Sequence, residues 1–367
     1  MALVDKIIEL YATLLNKISL IVLMKRGSLQ GSNIYNSRRE RVWEDNSMNI
    51  LVSISCITYN HEKYIAQAIE SFLMQKVDFE YEILIHDDAS TDSTADIIRE
   101  YESKYPNIIK PIYQTENQYS KGLSINATYN WPRALGNYIA LCEGDDYWTN
   151  QNKLKKQVDY MEAHSECTLC FSGFEKITAE GEKNREIISF NKGDTIFSTE
   201  DIIMKIGGSF HTGSLMFPRY KIDDLPQWFV DAPVGDIPLV IMCSINGNVA
   251  YLDESMSAYR TGVVGSWTER MNNNEVANKE HRQGMIKMWN DINSYTNGKY
   301  EAAVLCQIKK YQKALLLTET DLNCLNDSIN KEIFQLLSFE EKIKLYLKLC
   351  FPRFYKTIAG IKRLLNV

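Results

Sequence analysis

The run Tyr138-Ile139-Ala140-Leu141-Cys142 leads into Glu143-Gly144-Asp145-Asp146-Tyr147-Trp148, so an apolar segment of strand length stops abruptly at three carboxylates. A short continuous apolar run of this kind reads as a buried strand of a parallel sheet. Its end then opens onto the crevice where open α/β sheets hold ligands. Acids packed this closely repel one another unless a cation sits among them, and hard oxygen ligands suit Mn2+ or Mg2+ completed by phosphate oxygens. An isolated Asp-Asp pair would more simply be a solvated turn ahead of a helix. A second acidic strand end, Ile83 to Asp88 followed by Ala89-Ser90-Thr91-Asp92, makes one nucleotide and metal site the better reading.

Around these two ends the chain alternates. Leu51 to Ile57 is β-branched and closes in Thr58-Tyr59-Asn60-His61, with Asn60 a fair N-cap for a helix of about fifteen residues. Tyr81 to Ile85 is a second strand, followed by a helix capped at Ser90 or Thr91 and stopped by Pro106. Ile108 to Tyr113, a helix over Ile125 to Leu135, and the strand Tyr138 to Cys142 continue the pattern. Right-handed crossovers then predict a mostly parallel, Rossmann-like α/β sheet with helices on both faces. Further on come a helix from Lys153 to His164, strands at Thr168 to Phe174 and Ser214 to Phe217, and a helix at Asp236 to Ile245. Strands at Val249 to Leu252 and Met256 to Arg260 follow, while 175–212 read as irregular. From Glu269 helical periodicity takes over. The expected division is an N-terminal helical segment and polar linker over 1–49, the α/β domain over 50–268, and a helical extension over 269–367.

With 45% hydrophobic and 24% charged residues in 367, the chain is globular in composition. A net charge of −6 gives no support to nucleic-acid binding, but charge is unevenly placed: from Lys342 onward there are seven Lys or Arg and no acid. The eight cysteines are dispersed, several inside apolar runs, as reduced buried thiols are. Cys167 and Cys170 have a zinc-like spacer but no second pair. Leu3 to Met24 is apolar at helical period, yet Asp5, Lys6, Glu9 and Lys17 interrupt it, so it reads neither as a signal peptide nor as a spanning helix.

Phosphates are held by a glycine-rich loop at a helix N-terminus or by a divalent metal. The first needs glycines after strand one, and Thr58-Tyr59-Asn60-His61-Glu62-Lys63 has none. That leaves a metal-held diphosphate. At this point the chain resembles a family 2 glycosyltransferase of the GT-A fold, of the kind bacteria use for surface polysaccharides. The resemblance covers roughly residues 50 to 270 and rests on Ile57-Thr58-Tyr59-Asn60, on Asp87-Asp88-Ala89-Ser90-Thr91-Asp92, on Glu143 to Trp148, and on Tyr259-Arg260 with Gly265-Ser266-Trp267 behind it.

The resemblance implies roles. Thr58, Tyr59 and Glu62 would line the nucleoside base, and Asp87 or Asp88 would accept from a uracil-like N3–H. The family's Asp-X-Asp motif falls on Glu143 and Asp145, with glutamate in the first place. Asp145 is then the expected metal ligand, Glu143 would reach toward ribose or sugar, and Asp146 would help hold the sugar. A carboxylate that opens a helix after the acceptor-side strand serves relatives as base, and Gly235-Asp236-Ile237-Pro238-Leu239 fits that place. Asp236 is the expected base, with Asp231 in reserve. Arg260 would add charge at the leaving group or serve as a structural ion-pair partner. His211 would touch acceptor or sugar, or be structural.

The expected activity is inverting transfer of a sugar, with UDP-sugar the first donor to test, to a saccharide or lipid-linked saccharide. Two other readings are a glycan-binding or scaffold protein with a decayed site, and a sugar nucleotidyltransferase. The latter lacks its glycine-rich loop here. Phe354, Ile358, Ile361 and Leu365 recur at helical spacing while Lys356, Lys362 and Arg363 lie off that stripe. A basic amphipathic helix of this kind suits either packing on the acidic body or contact of residues 342–367 with the inner leaflet, so the expected location is cytoplasmic, and peripheral on that membrane face under the second reading.

Overall fold

The computed structural model describes residues 50–205, 210–245 and 247–351. The expectations for 1–49 and for 352–367 lie outside the described residues. Among these residues β1 (Ile50–Thr58), α1 (Ile65–Leu73), β2 (Glu80–Asp87), α2 (Thr94–Lys104) and β3 (Ile109–Tyr113) alternate as the pattern predicts. A π-helical turn (Asn126–Asn130) and a 3-10 turn (Trp131–Arg133) lead to β4 (Tyr138–Leu141), β5 (Tyr147–Trp148) and α3 (Lys153–Ala163). Next come β6 (Cys167–Thr178), β7 (Gly181–Ile188), β8 (Thr195–Phe197), α4 (Thr199–Lys205), β9 (Met216–Pro218), α5 (Gln227–Val230) and α6 (Asp236–Ser244). The long β10 (Asn248–Thr261) closes the sheet, and α7 (Trp267–Asn273), α8 (Glu275–Tyr295), α9 (Glu301–Leu316), α10 (Ser328–Leu336) and α11 (Phe339–Cys350) follow it.

The strands form one sheet in the order β3-β2-β1-β4-β9-β6-β10-β5, with β7 on β6 and β8 on β10. Pairing is parallel from β3 through β4 and again between β6 and β10, and antiparallel where β9 is inserted. Successive side chains point to opposite faces, so the sheet divides two cores. Ile83, Ile85, Ala140 and Cys142 lie in one core, beneath Ile65, Ile69 and Phe72 of α1. Leu84, Ile139 and Leu141 lie in the other, with Leu239 and Ile241 of α6. Met285, Trp289 and Ile292 of α8 and Val304 and Ile308 of α9 share that second core. Leu316, Ile333, Leu337, Leu345 and Leu349 form a smaller cluster around α10 and α11.

Four local readings are corrected. The stretch 125–135 is not an α-helix: Asn130 donates through Nδ2 to Cys56 O and Leu84 O at 3.1 and 3.3 Å, and Pro132 opens the 3-10 turn. Asn60 does not cap α1. It takes a left-handed φ of 55°, and its Oδ1 accepts from Thr91 N at 2.7 Å. The two strands expected over 249–252 and 256–260 are one, because β10 carries register shifts on both sides of Ser255 that let it bend without ending. The stretch 175–212 is also less irregular than its sequence suggests, since β6 runs on to Thr178 and turns into β7.

Candidate active site

The ends of β1, β2 and β4 meet at one edge. Thr58 is in register with Asp87, and Asp88 N donates to Thr58 O at 3.0 Å. Gly144 N donates to Ile57 O at 2.9 Å, which presses the acidic turn against the end of β1. A Cβ on Gly144 would lie 2.6 Å from Thr58 Oγ1, so only glycine fits that approach.

Glu143, Asp145 and Asp146 each offer a carboxylate oxygen, all within 4.8 Å of one another, and they are the only such metal-holding group among the described residues. Burial, then Asp145, Asp146 and Asp236 in turn, push the Glu143 carboxyl well above its ordinary range. Burial and then Asp145 do the same to Asp146. Two carboxyls pushed up in this way, Glu143 and Asp146, together with Asp145 beside them, make a donor set that a hard divalent cation would relieve. The residues therefore fit such an ion.

Asp146 is the best-held member. Its Oδ1 accepts from Arg260 N at 2.7 Å, and its Oδ2 lies 2.7 Å from His211 Nε2. His211 Nδ1 lies 3.1 Å from Ser257 Oγ, and burial pushes the imidazole pKa down to about 3, so the ring is neutral. Arg260 is buried with it. Its Nε donates to Asp145 O at 2.8 Å, its Nη2 donates to Gln67 Oε1 at 2.7 Å, and the guanidinium stacks 4.6 Å from the Tyr64 ring. Two strands and α1 thus clamp the turn, while Asp145, half-buried, lies 3.8 Å from His61 Nε2.

On the β1 and β2 side the expected nucleoside residues fall into two groups. Thr58 and Asp87 are buried at the sheet edge, and Tyr59 is 42% exposed beside them. Asp87 accepts from Ser90 Oγ and is pushed upward by burial. Glu62 and Asp88 are engaged within the loops. Glu62 Oε2 accepts from Ser93 N at 3.0 Å, and Glu62 N donates to Asp92 Oδ2 at 3.1 Å. Asp88 accepts from Gln118 N at 2.8 Å and Tyr119 N at 3.0 Å, pinning the loop after β3.

Asp236 opens α6, half-buried, and burial raises its carboxyl above the usual range. Its charge is felt by Glu143 and also by Tyr311 of α9, whose hydroxyl is pushed upward first by burial. Asp231 is elsewhere: it is exposed at the end of α5, bound to Gln227 Nε2 at 2.7 Å and to Lys287 Nζ at 3.4 Å.

Sequence reasoning did not single out Lys153, Gln67 or Ser257. Lys153 is fully buried beneath the turn, with Nζ donating to Gln157 Oε1 at 2.7 Å and lying 4.3 Å from the Trp148 ring. Gln157, one helical turn on, shares its face, but nothing in the sequence marks a lysine there as internal.

Residues 53–224 match the model of Glycosyl transferase family 2. An uncharacterised protein of Mycobacterium tuberculosis is 36% identical over 219 residues, 59% of this chain and 60% of its own length. The poly(ribitol-phosphate) beta-glucosyltransferase of Bacillus spizizenii is 34% identical over 119 residues, 32% of this chain and 18% of that protein. The chain thus spans less than two thirds of the length of these relatives. Among solved structures, S. aureus TarS in complex with UDP-GlcNAc superposes with a TM-score of 0.54 at 17% identity, covering 82% of this chain and 79% of that one. The likeness shows the GT-A fold.

Proposed function

We propose, from the match of residues 53–224 to the Glycosyl transferase family 2 model, that the protein transfers a sugar from a nucleotide-sugar donor to a saccharide or lipid-linked saccharide in the making of a surface polysaccharide. One observation carries this reading: three carboxylates within 4.8 Å of one another at a strand end. UDP is the first candidate nucleotide, supported by the fold shared with a protein that binds UDP-GlcNAc. A poly(ribitol-phosphate) beta-glucosyltransferase among the relatives supports a hexose as the sugar and a polyol-phosphate polymer as one kind of acceptor.

Thr58, Tyr59 and Asp87 would hold the nucleoside, with Asp88 and Glu62 fixing the loops that carry them. Asp145 would be the direct ligand of Mn2+ or Mg2+, flanked by Glu143 and Asp146. When bound, that ion would act as a Lewis acid on the diphosphate and stabilise the leaving group. Arg260 and His211 would position the turn from behind. Asp236, raised by burial, is suited to take the proton from the acceptor hydroxyl as it attacks the anomeric carbon. With Asp236 as the one base and no second nucleophile proposed among the described residues, direct displacement would invert the anomeric centre.

Thermal shift with UDP-, GDP- and dTDP-sugars, in Mn2+ or EDTA, tests the donor site. One nucleotide class should stabilise the parent protein in metal only, and Asp145→Asn should lose the effect. Stabilisation by no donor would favour the decayed-site reading instead.

A further inference from the structure

One nitrogen donor faces the acidic turn without being hydrogen-bonded to it. His61 lies between β1 and α1, and its ring rests on the turn, where a Cβ on Gly144 would come 3.1 Å from Nδ1. The backbone there is pinned. His61 N donates to Thr94 Oγ1 at 2.8 Å, and His61 O accepts from Tyr64 N and Ile65 N, both at 2.9 Å. Nδ1 lies 3.1 Å from Thr58 Oγ1, which fixes the ring's rotation and leaves Nε2 aimed at Asp145 Oδ2, 3.8 Å away. The His61 and Asp145 side chains are each 16% exposed, so the gap between them opens on the cleft.

A neutral imidazole has one N–H and one lone pair on nitrogen. If Nδ1–H donates to Thr58, Nε2 turns its lone pair toward a carboxylate, which is repulsive. If Nε2 carries the proton instead, 3.8 Å is too long for the hydrogen bond it would make. In either form the pair is incomplete without a third party between them. Other partners do not claim them: among the described residues neither His61 Nε2 nor the Asp145 carboxylate makes a hydrogen bond. Asp146, by contrast, is taken by Arg260 N and His211 Nε2, and the other nitrogen of His211 faces Ser257 Oγ. An imidazole whose one nitrogen is oriented by a neighbour while the other faces a carboxylate is presented as metal-binding histidines are. Oxygen donors alone suit Mg2+, which gives up its waters reluctantly. An imidazole nitrogen raises affinity for first-row transition ions, Co2+ more than Mn2+.

We propose that His61 Nε2 is a ligand, beside Asp145, of the divalent ion at this turn, and that its nitrogen makes the site prefer a transition ion such as Mn2+ to Mg2+. The inference rests on the nucleotide and metal reading of the turn and adds the donor that selects the ion.

Electron paramagnetic resonance of Mn2+ added to the full chain, with and without UDP, tests it. With the histidine nitrogens isotopically labelled, pulsed measurements should show their coupling to the bound Mn2+, and His61→Gln should lose that coupling. By calorimetry His61→Gln should bind Mn2+ roughly tenfold or more weakly, lose more for Co2+, and bind Mg2+ within about twofold of the parent. Mn2+ that binds the parent and is lost in Asp145→Asn, yet shows no histidine coupling, overturns the proposal and leaves the metal reading in place. Coupling that survives in His61→Gln, or equal losses of Mn2+ and Mg2+ affinity there, also overturns it. No bound Mn2+ in the parent, with or without UDP, overturns both. The coupling is read in the parent, so the test stands even where the variant is unstable.

Discussion

His211 Nε2 lies 2.7 Å from Asp146 Oδ2, with both side chains at most 3% exposed. The histidine therefore supplies what water cannot reach. Replacing it with leucine leaves a buried carboxyl held by the Arg260 amide alone, and leaving a buried polar group short of its partner costs about 1–3 kcal/mol. Urea unfolding of His211→Leu should show that loss, and His211→Gln, which keeps a donor, should recover part of it. Equal stability of His211→Leu and the parent would remove the positioning role.

Asp236 and Asp231 can be separated by one comparison. Asp236→Asn should lower turnover by roughly two to four orders of magnitude while donor binding, read by thermal shift, is kept. Asp231→Asn removes only exposed contacts with Gln227 and Lys287 and should leave turnover near the parent value. The reverse result would move the base to α5.

Burial pushes the Lys153 pKa from 10.5 down to about 7. Between those values the unfolded chain binds a proton there that the folded protein does not, so stability rises with pH across that window and is flat below it. Against Lys153→Met, the parent should gain up to about 1.4 kcal/mol per pH unit from pH 7 upward. Denaturant melts at successive pH values read the difference, and parallel curves for the two proteins would show that the amine is charged when folded.

Gly144→Ala would place a Cβ 2.6 Å from Thr58 Oγ1 and 2.7 Å from Thr58 Cβ, neither of which is a flexible end. Overpacking of that kind costs about 1–3 kcal/mol, and the acidic turn must shift. Melting temperature and donor affinity should both fall. Gly235→Ala, where a Cβ meets nothing within 4 Å, should change stability by about 0.5 kcal/mol or less.

The first half of the fold was legible because β1 to β4 are short apolar runs separated by capped amphipathic helices, a pattern that admits few topologies. The acidic turn was legible for the same reason: Glu143 to Asp146 interrupt an apolar run abruptly. Its supports were not. Arg260 reaches Asp145 and Asp146 across 115 and 114 positions, and His211 reaches Asp146 across 65. No local period encodes such contacts. Asn60 shows the opposite failure, since its capping chemistry was read correctly as a hydrogen-bonding asparagine, but tertiary partners in the loop after β2 claimed it. Lys153 was invisible because a lysine at a buried helix position looks like any surface lysine until its neighbours are known.

The two walls of the cleft differ in how far apart their parts lie along the chain. Asn60 to Ser90, Glu62 to Asp92 and Glu62 to Ser93 span 30 or 31 positions. During vectorial synthesis these loops can lock together soon after α2 emerges, whereas the acidic turn has to wait for β10 to arrive before Arg260 can brace it. A ribosome-bound intermediate would thus hold the loops after β1 and β2 already locked beside a turn of unbraced carboxylates, and β10, the last described strand to join the sheet, is the one that completes the brace.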